Sequence, residues 1–558
     1  MFRPRGWRAA VLILLVLGLL LSAGYALIGG RVGLALLAVK FTLREYSAPH
    51  RVVNWQRGPD QSPANVAGRA PNIILIVVDD LGFNDLTLNG GFADGRVPTP
   101  NIDRLAQRGV HFATAYSGSP TCAPSRAALL TGRNPTRFGF EFTPTGKQFM
   151  RVVTQTRLPH ASLHGPLYFA EREAGFPHVD DMGLPTDEVT IADVLTRAGY
   201  HTVHIGKWHL GDAPRFRAHR RGFNESLSLR YGASMFLPED DPRVVNAPSS
   251  IDTTDKFLWA AGVWGVRYND GEYFQPDRYL TDYFTDEAIK VIEANRHRPY
   301  FLFLAYNAPH TPLQALREDY DALSALGDHR QRVYGAMIRA VDRSVGRLLA
   351  ALEANGTLEN TLVIFTSDNG GPHTIDMPRI NAPYRGWKAS YFEGGVRVPM
   401  FLHWPAALAP RRFDHPVTHF DLFSTIVAAA GASAPAERAL DGVDLLPFAR
   451  GERSERPHQT LYWRTDRYLA LRDGDWKLQV TQLPQAEWLF DLSVDPQERR
   501  NLASREPTRL AELKTKLAAY DAAQAQPLWP SLGAGYIPID KTMGVPQEVG
   551  DEYVYFSN

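Results

Sequence analysis

The sequence predicts an α/β protein built on a parallel or mixed sheet, with a smaller α+β unit behind it. Continuous apolar runs rich in branched residues at 72–78, 300–305 and 361–366 have the length and pattern of strands buried on both faces. Helical periods alternate with them along the chain, which is how a parallel or mixed sheet is connected. After about residue 435 the pattern changes to short strands broken by Asp-Gly-Asp turns, then one helix.

The chain begins with Arg3, Arg5 and Arg8, followed by an uncharged run over 9–30 dominated by Leu, Val, Ile and Ala. A basic flank before an apolar run is an export signal, and about 20 apolar residues suffice to span a bilayer as a helix. The run exceeds the usual signal-peptide core and so favours an uncleaved anchor with the bulk of the protein outside the cytoplasm. Gly24 and Ala26 offer small residues for a cleavage that would leave it secreted or periplasmic. Residues 31–70 read as a juxtamembrane helix and a Pro/Gly-containing linker.

The 72–78 strand ends in Asp79-Asp80-Leu-Gly82, placing carboxylates at its carboxyl end. Thr99-Pro100 and Gly109 bracket a helix as cap, first position and terminator. A helix over 190–198 precedes a short strand at 201–205, and a helix over 279–295 precedes the strand at 300–305. A long helix over 332–355 leads to the strand at 361–366, which runs into Ser367-Asp368-Asn369-Gly370. Two strands thus end in acidic residues. The main body spans 71–435, and a C-terminal unit spans 436–525, with strands at 468–472 and 476–480 and a helix over 507–522. Residues 526–558 lack periodicity and read as an irregular tail.

Lysine plus arginine equals aspartate plus glutamate at 60 each, which removes the electrostatic footprint of a nucleic-acid binder. Cys122 is the single cysteine, so no internal disulfide can form, and an exported protein leaves such a thiol buried, modified or used. Its surroundings, Cys122-Ala-Pro-Ser-Arg126 followed by Leu-Thr-Gly-Arg133, resemble the sulfatase signature, in which the cysteine is converted to formylglycine after translation. Gly206-Lys207-Trp-His209-Leu-Gly211 is similar to a second element of that family, Asn307-Ala-Pro-His310 to a third, and the segment from Pro383 through Lys388 to Phe392-Glu-Gly-Gly to a fourth. A weaker likeness continues to Leu489-Phe-Asp-Leu-Ser-Val-Asp-Pro496.

The resemblance implies an alkaline-phosphatase-like α/β sandwich, a central mixed sheet flanked by helices, with the smaller C-terminal α+β domain. It implies a sulfate-ester hydrolase of arylsulfatase type, acting on an aryl or carbohydrate sulfate, with Cys122, Arg126, Lys207, His209, His310 and Lys388 as catalytic residues. Asp79, Asp80, Asp368 and Asn369, together with position 122, would hold one calcium ion, a hard cation that oxygen ligands suit. A hydrated aldehyde at position 122 carries two hydroxyls on one carbon, so one can attack sulfur while the other later expels sulfate. Lys207 and Lys388 would bind the sulfate, Arg126 would neutralise charge, His209 would take a proton and His310 would give one to the leaving alcohol. A formylglycine-generating enzyme is the implied maturation partner, and a sulfated sugar or small sulfate ester the substrate. Two rivals are a phosphate- or phosphonate-ester hydrolase of the same superfamily and an anchored binding protein whose cysteine is never matured.

Overall fold

The computed structural model describes residues 47–61, 69–155 and 163–558, together with a few helical positions between 33 and 40. The expected signal or anchor over 1–30 lies outside the described residues, as does part of the expected linker. Among the described residues no helix is long and apolar enough to cross a membrane.

Ten strands form the main sheet: β1 (Asn72–Val78), β2 (Val110–Phe112), β3 (His201–Gly206), β4 (Glu225–Leu229), β5 (Val266–Tyr268), β6 (Tyr273–Phe274), β7 (Tyr300–Ala305), β8 (Thr361–Ser367), β9 (Met400–His403) and β10 (Arg411–Phe413). Their spatial order is β10-β2-β9-β8-β1-β7-β3-β4-β5-β6. The five central strands from β8 to β4 run parallel, and antiparallel strands flank them on both sides, so the sheet is mixed. Short strands such as β2, β9 and β10 were not foreseen, because three or four residues carry no readable period.

β1 shows why the long runs are strands. Ile74, Ile76 and Val78 join one hydrophobic core while Ile73, Leu75 and Val77 join the other, as the two-residue side-chain period requires. Burying these six aliphatic side chains contributes on the order of 10 kcal/mol before chain entropy is charged against it. Helices α1 (Pro100–Arg108), α4 (Leu280–Ala294) and α5 (His329–Ala354) supply the first core; α2 (Cys122–Thr131), α3 (Ile191–Arg197) and α6 (His419–Ala429) supply the second. Pro100 takes the first position of α1, as expected, where its missing N–H costs nothing.

The four-stranded antiparallel sheet behind the main body is β11 (Thr460–Thr465), β12 (Tyr468–Asp473), β13 (Trp476–Gln482) and β14 (Gln485–Asp491). Helix α7 (Pro507–Ala522) covers it through Leu513 and Leu517 against Leu471, Leu478 and Leu489. The expected irregular tail is corrected by two paired strands, β15 (Gly533–Pro538) and β16 (Tyr553–Ser557), joined by a third at Leu167–Tyr168. The long connection between β15 and β16 carries no hairpin turn signal, and the partner at Leu167–Tyr168 is remote in sequence, so only tertiary pairing reveals the sheet.

Candidate active site

Parallel strands deliver the loops at their carboxyl ends to one rim. Val78 is level with Ser367, so Asp79 and Asp80 emerge beside Asp368 and Asn369. β3 and β7 are likewise level, with Gly206 opposite Ala305, so Lys207 and the loop carrying His310 reach the same rim. Gly206 has φ +108°, and a Cβ there would lie 1.9 Å from the Ala305 carbonyl oxygen, so no other residue fits the turn that aims Lys207.

Cys122 starts α2, a helix buried along its whole length. Its Sγ lies 3.1 Å from Lys388 Nζ, 3.5 Å from Asp79 Oδ1 and 3.7 Å from Asp80 Oδ1. Lys388 Nζ also donates to Asp80 at 2.7 and 2.9 Å. Lys207 Nζ donates to Asp79 Oδ2 at 2.7 Å, with both side chains fully buried. One turn into α2, Arg126 donates twice to Asp368 Oδ2, at 3.0 and 2.8 Å, and once to the Lys207 carbonyl at 2.9 Å. The catalytic and metal-ligating candidates therefore converge, although they come from segments spread between residues 79 and 388.

Charge decides how these groups ionise. Burial raises Asp79, against Lys207 and Arg126, and pushes it up to about 7. Burial also works on Asp80, but there Lys388 and His310 outweigh it and the carboxyl is held below its ordinary range. Asp368 is likewise buried, and Arg126 leads the cations that hold it low. Burial pushes the Cys122 thiol well up despite the two lysines, which leaves it a protonated, weak nucleophile as it stands.

His209 has φ +62° and a buried Nδ1 without a hydrogen-bond partner. Burial, then Lys207 and Arg126, hold it far below the usual imidazole value, so the imidazole is neutral. His310 Nδ1 meets the Thr311 carbonyl at 2.6 Å, which turns Nε2 toward Asp80 Oδ2 at 3.6 Å; burial pushes this imidazole down to about 3.

The donor set suits a hard dication. Asp79, Asp80, Cys122 and His310 each place a ligand atom within 4.8 Å of the others. Asn369 donates through Nδ2 to Asp80 Oδ1 at 2.8 Å and keeps a buried Oδ1 with no hydrogen-bond partner, as an oxygen reserved for a cation would be. Asp368 is more heavily committed: Oδ1 accepts the Asp80 N–H at 3.1 Å and Oδ2 accepts Arg126 twice. His310 stands closer to the carboxylates than its expected role as a proton donor suggested.

Several supporting residues escaped sequence reasoning. Ser125 Oγ donates to the Asp368 carbonyl at 2.6 Å and meets His419 Nδ1 at 3.1 Å, which fixes the Asp368 loop against α6. Asn381 clasps Gly371 in both directions at 2.9 Å, and the Lys388 N–H reaches the Gly371 carbonyl at 3.0 Å, which ties the Lys388 loop to the Asn369 strand end. At Gly232 a Cβ would fall 2.2 Å from His209 Nε2, so the loop after β4 seats the imidazole directly. Of these, Ser125 alone carried a signal, its place within the Cys122 motif.

Comparison with known proteins agrees with this geometry. The sulfatase family profile matches residues 71–432, and the C-terminal profile of N-sulphoglucosamine sulphohydrolase matches 386–523. N-acetylgalactosamine-6-sulfatase of Mus musculus is 34% identical over 426 residues, covering 74% of this chain and 72% of its own. Steryl-sulfatase of Mus musculus is 32% identical over 560 residues, covering 83% of each. The crystal structure of Ps i-CgsB in complex with k-i-k-neocarrahexaose superposes with a TM-score of 0.67 at 32% identity, covering 83% of this chain and 95% of that one. The likeness carries the expected alkaline-phosphatase-like sandwich with it.

Proposed function

The chain belongs to the sulfatase family and is a sulfuric ester hydrolase, and from that premise we propose that it cleaves a carbohydrate sulfate to alcohol and inorganic sulfate through a formylglycine made from Cys122, with calcium bound beside it. The observation that carries this reading is the setting of Cys122. Its side chain heads a buried helix within 3.1 Å of Lys388 Nζ and beside Asp79 and Asp80, where burial keeps the thiol protonated and conversion is what would make it reactive. A hydrated aldehyde supplies two hydroxyls on one carbon, one for attack on sulfur and one for expulsion of sulfate.

Asp79, Asp80 and Asn369 would hold the calcium, with Asp368 braced by Arg126 behind them, and such an ion would supply positive charge for the sulfate oxygens. Lys207 and Lys388 hold the sulfate in line and stabilise the charge that builds on its oxygens. Neutral His209 accepts a proton from position 122. His310, whose Nε2 faces Asp80 Oδ2 at 3.6 Å, would be the group that passes a proton to the departing alcohol. The N-terminal basic and apolar segment supports export, with anchorage through that segment and maturation by a formylglycine-generating enzyme on the way.

The test combines peptide mass spectrometry of the Cys122 segment, from protein made in its own host, with turnover of 4-nitrophenyl sulfate and 4-nitrophenyl phosphate before and after chelation. We expect the aldehyde mass, turnover of the sulfate ahead of the phosphate, and loss of rate on chelation that calcium restores. Unmodified cysteine in active protein, or preference for the phosphate, would sink the reading.

A further inference from the structure

The register of the main sheet draws a row from the site to one edge. Val77 is level with Ala305, Ala305 with Gly206, Gly206 with Ser228, Ser228 with Arg267, and Arg267 with Tyr273. Gly206 immediately precedes Lys207, so Arg267 stands two strands away, roughly 10 Å at ordinary strand spacing. Ser228 Oγ lies 3.2 Å from His204 Nδ1, and directly paired residues share a face. Arg267 therefore projects on the face of His204, whose ring packs with Trp208 and Phe223 in the same core as α2.

The Arg267 guanidinium lies 3.8 Å above the Tyr273 ring, and Arg230, just past β4, approaches the same ring at 4.4 Å. Two residues beyond Arg230, Gly232 abuts His209, so this loop links the cluster to the site. Arg267 Nε is buried with no hydrogen-bond partner, and the side chain forms no ion pair among the described residues. Burial weighs first on the Arg267 guanidinium, and its charged neighbours include Arg217 and Arg230 as well as the carboxylate of Asp212. Arg217 is itself engaged by Asp270 at 2.7 Å. A half-buried cation that pairs with no carboxylate among the described residues carries a cost, and an arginine fork braced on an aromatic ring is suited to accept an anion.

We propose that Arg267, stacked with Arg230 on Tyr273, is a second anion subsite that takes a sulfate or carboxylate on the neighbouring unit of an oligosaccharide substrate. The inference rests on the carbohydrate sulfatase reading above and narrows it to substrates with at least two anionic groups, spaced as a disaccharide spaces them.

The test uses the full chain with three disaccharides of N-acetylgalactosamine 6-sulfate, in which the second unit is galactose, sulfated galactose or glucuronate. Binding is read by calorimetry, alongside 4-nitrophenyl sulfate turnover. In the unaltered protein the second anion is expected to tighten binding by about tenfold, the scale of one charge-assisted contact. Arg267→Met should lose that gain while binding of the galactose form and aryl sulfate turnover change less than about twofold, and Arg267→Lys should keep part of it. A gain limited to the sulfated or to the glucuronate form identifies which anion is read. No gain in the unaltered protein, or a gain that survives in a folded Arg267→Met, overturns the subsite. Absence of aryl sulfate turnover with the gain intact would count against the hydrolytic reading and leave the subsite standing.

Discussion

At the scale of residues the site buries its carboxylates beside cations, and how each carboxyl ionises is set by burial against its neighbours. Lys207 and Asp79 are the sharpest case, since both side chains are fully buried and 2.7 Å apart. Asp79 pushed up to about 7 is the outcome of burial against Lys207 and Arg126, so removing the lysine leaves only Arg126, 3.6 Å from Asp79 Oδ1, of the two cations that oppose burial most. Lys207→Met is expected to destabilise the protein by about 3–5 kcal/mol, because it strands a buried carboxylate. It should also lower kcat on aryl sulfate by about 10²–10³, the scale of one lost charge-stabilising donor. Urea unfolding and steady-state kinetics check the two effects separately. Wild-type stability in the variant would mean that Asp79 finds its compensation elsewhere.

At the scale of elements, the turn after the Asp79-Asp80 loop holds a proton that neutral water would normally remove. Asp85 closes the short helix Phe83–Asp85 and accepts on Oδ2 from the Gly82 N–H at 2.7 Å and the Tyr334 hydroxyl of α5 at 2.6 Å; its Oδ1 is buried and unpartnered. Burial, opposed by those two hydrogen bonds, pushes the carboxyl up to about 8 from an ordinary 3.8. The neutral form is favoured in the fold, so the stability that it contributes is whole below about pH 4 and drains away as pH rises through 8. The loss reaches at most about 6 kcal/mol. Asp85→Asn, neutral at every pH, is expected to flatten this slope between pH 5 and pH 8 in urea titrations. An unchanged slope would assign the pH dependence to other groups. Elements such as these differ in how far sequence reveals them. β1, β7 and β8 were legible because burial on both faces demands an unbroken apolar run, and Asp79, Asp368 and Lys207 were legible because they directly follow such runs or lie in motif segments. Asp85 with Tyr334, Ser125 with His419, and Gly232 with His209 were not, because each pair meets only after the strands have set their register.

At the scale of the whole molecule, the C-terminal sheet reaches into the segment that carries Lys388. Lys477 of β13 is fully buried and donates to Glu393 at 2.7 Å and lies 3.0 Å from Glu498. Glu393 lies five residues past Lys388, and its oxygens also accept the Tyr116 hydroxyl at 3.0 and 2.8 Å and Arg397 at 3.3 Å. The Glu393 N–H in turn donates to Glu498 at 2.5 Å. This buried network fastens β13 to the Lys388 segment, so the two parts should unfold in one transition. Lys477→Met leaves two buried carboxylates short of a cation and is expected to cost about 3–5 kcal/mol. Because the loosened partner is the segment that aims Lys388, turnover should fall as well, although Lys477 touches no reacting atom. Adding Glu498→Gln removes one of the stranded charges. The double variant should therefore be more stable than Lys477→Met alone, a coupling that calorimetric unfolding of both single variants and the double resolves. Additive losses would show that Lys477 and Glu498 act independently. A separate early transition for the C-terminal sheet in the unaltered protein would show that the network does not join the two parts into one cooperative unit.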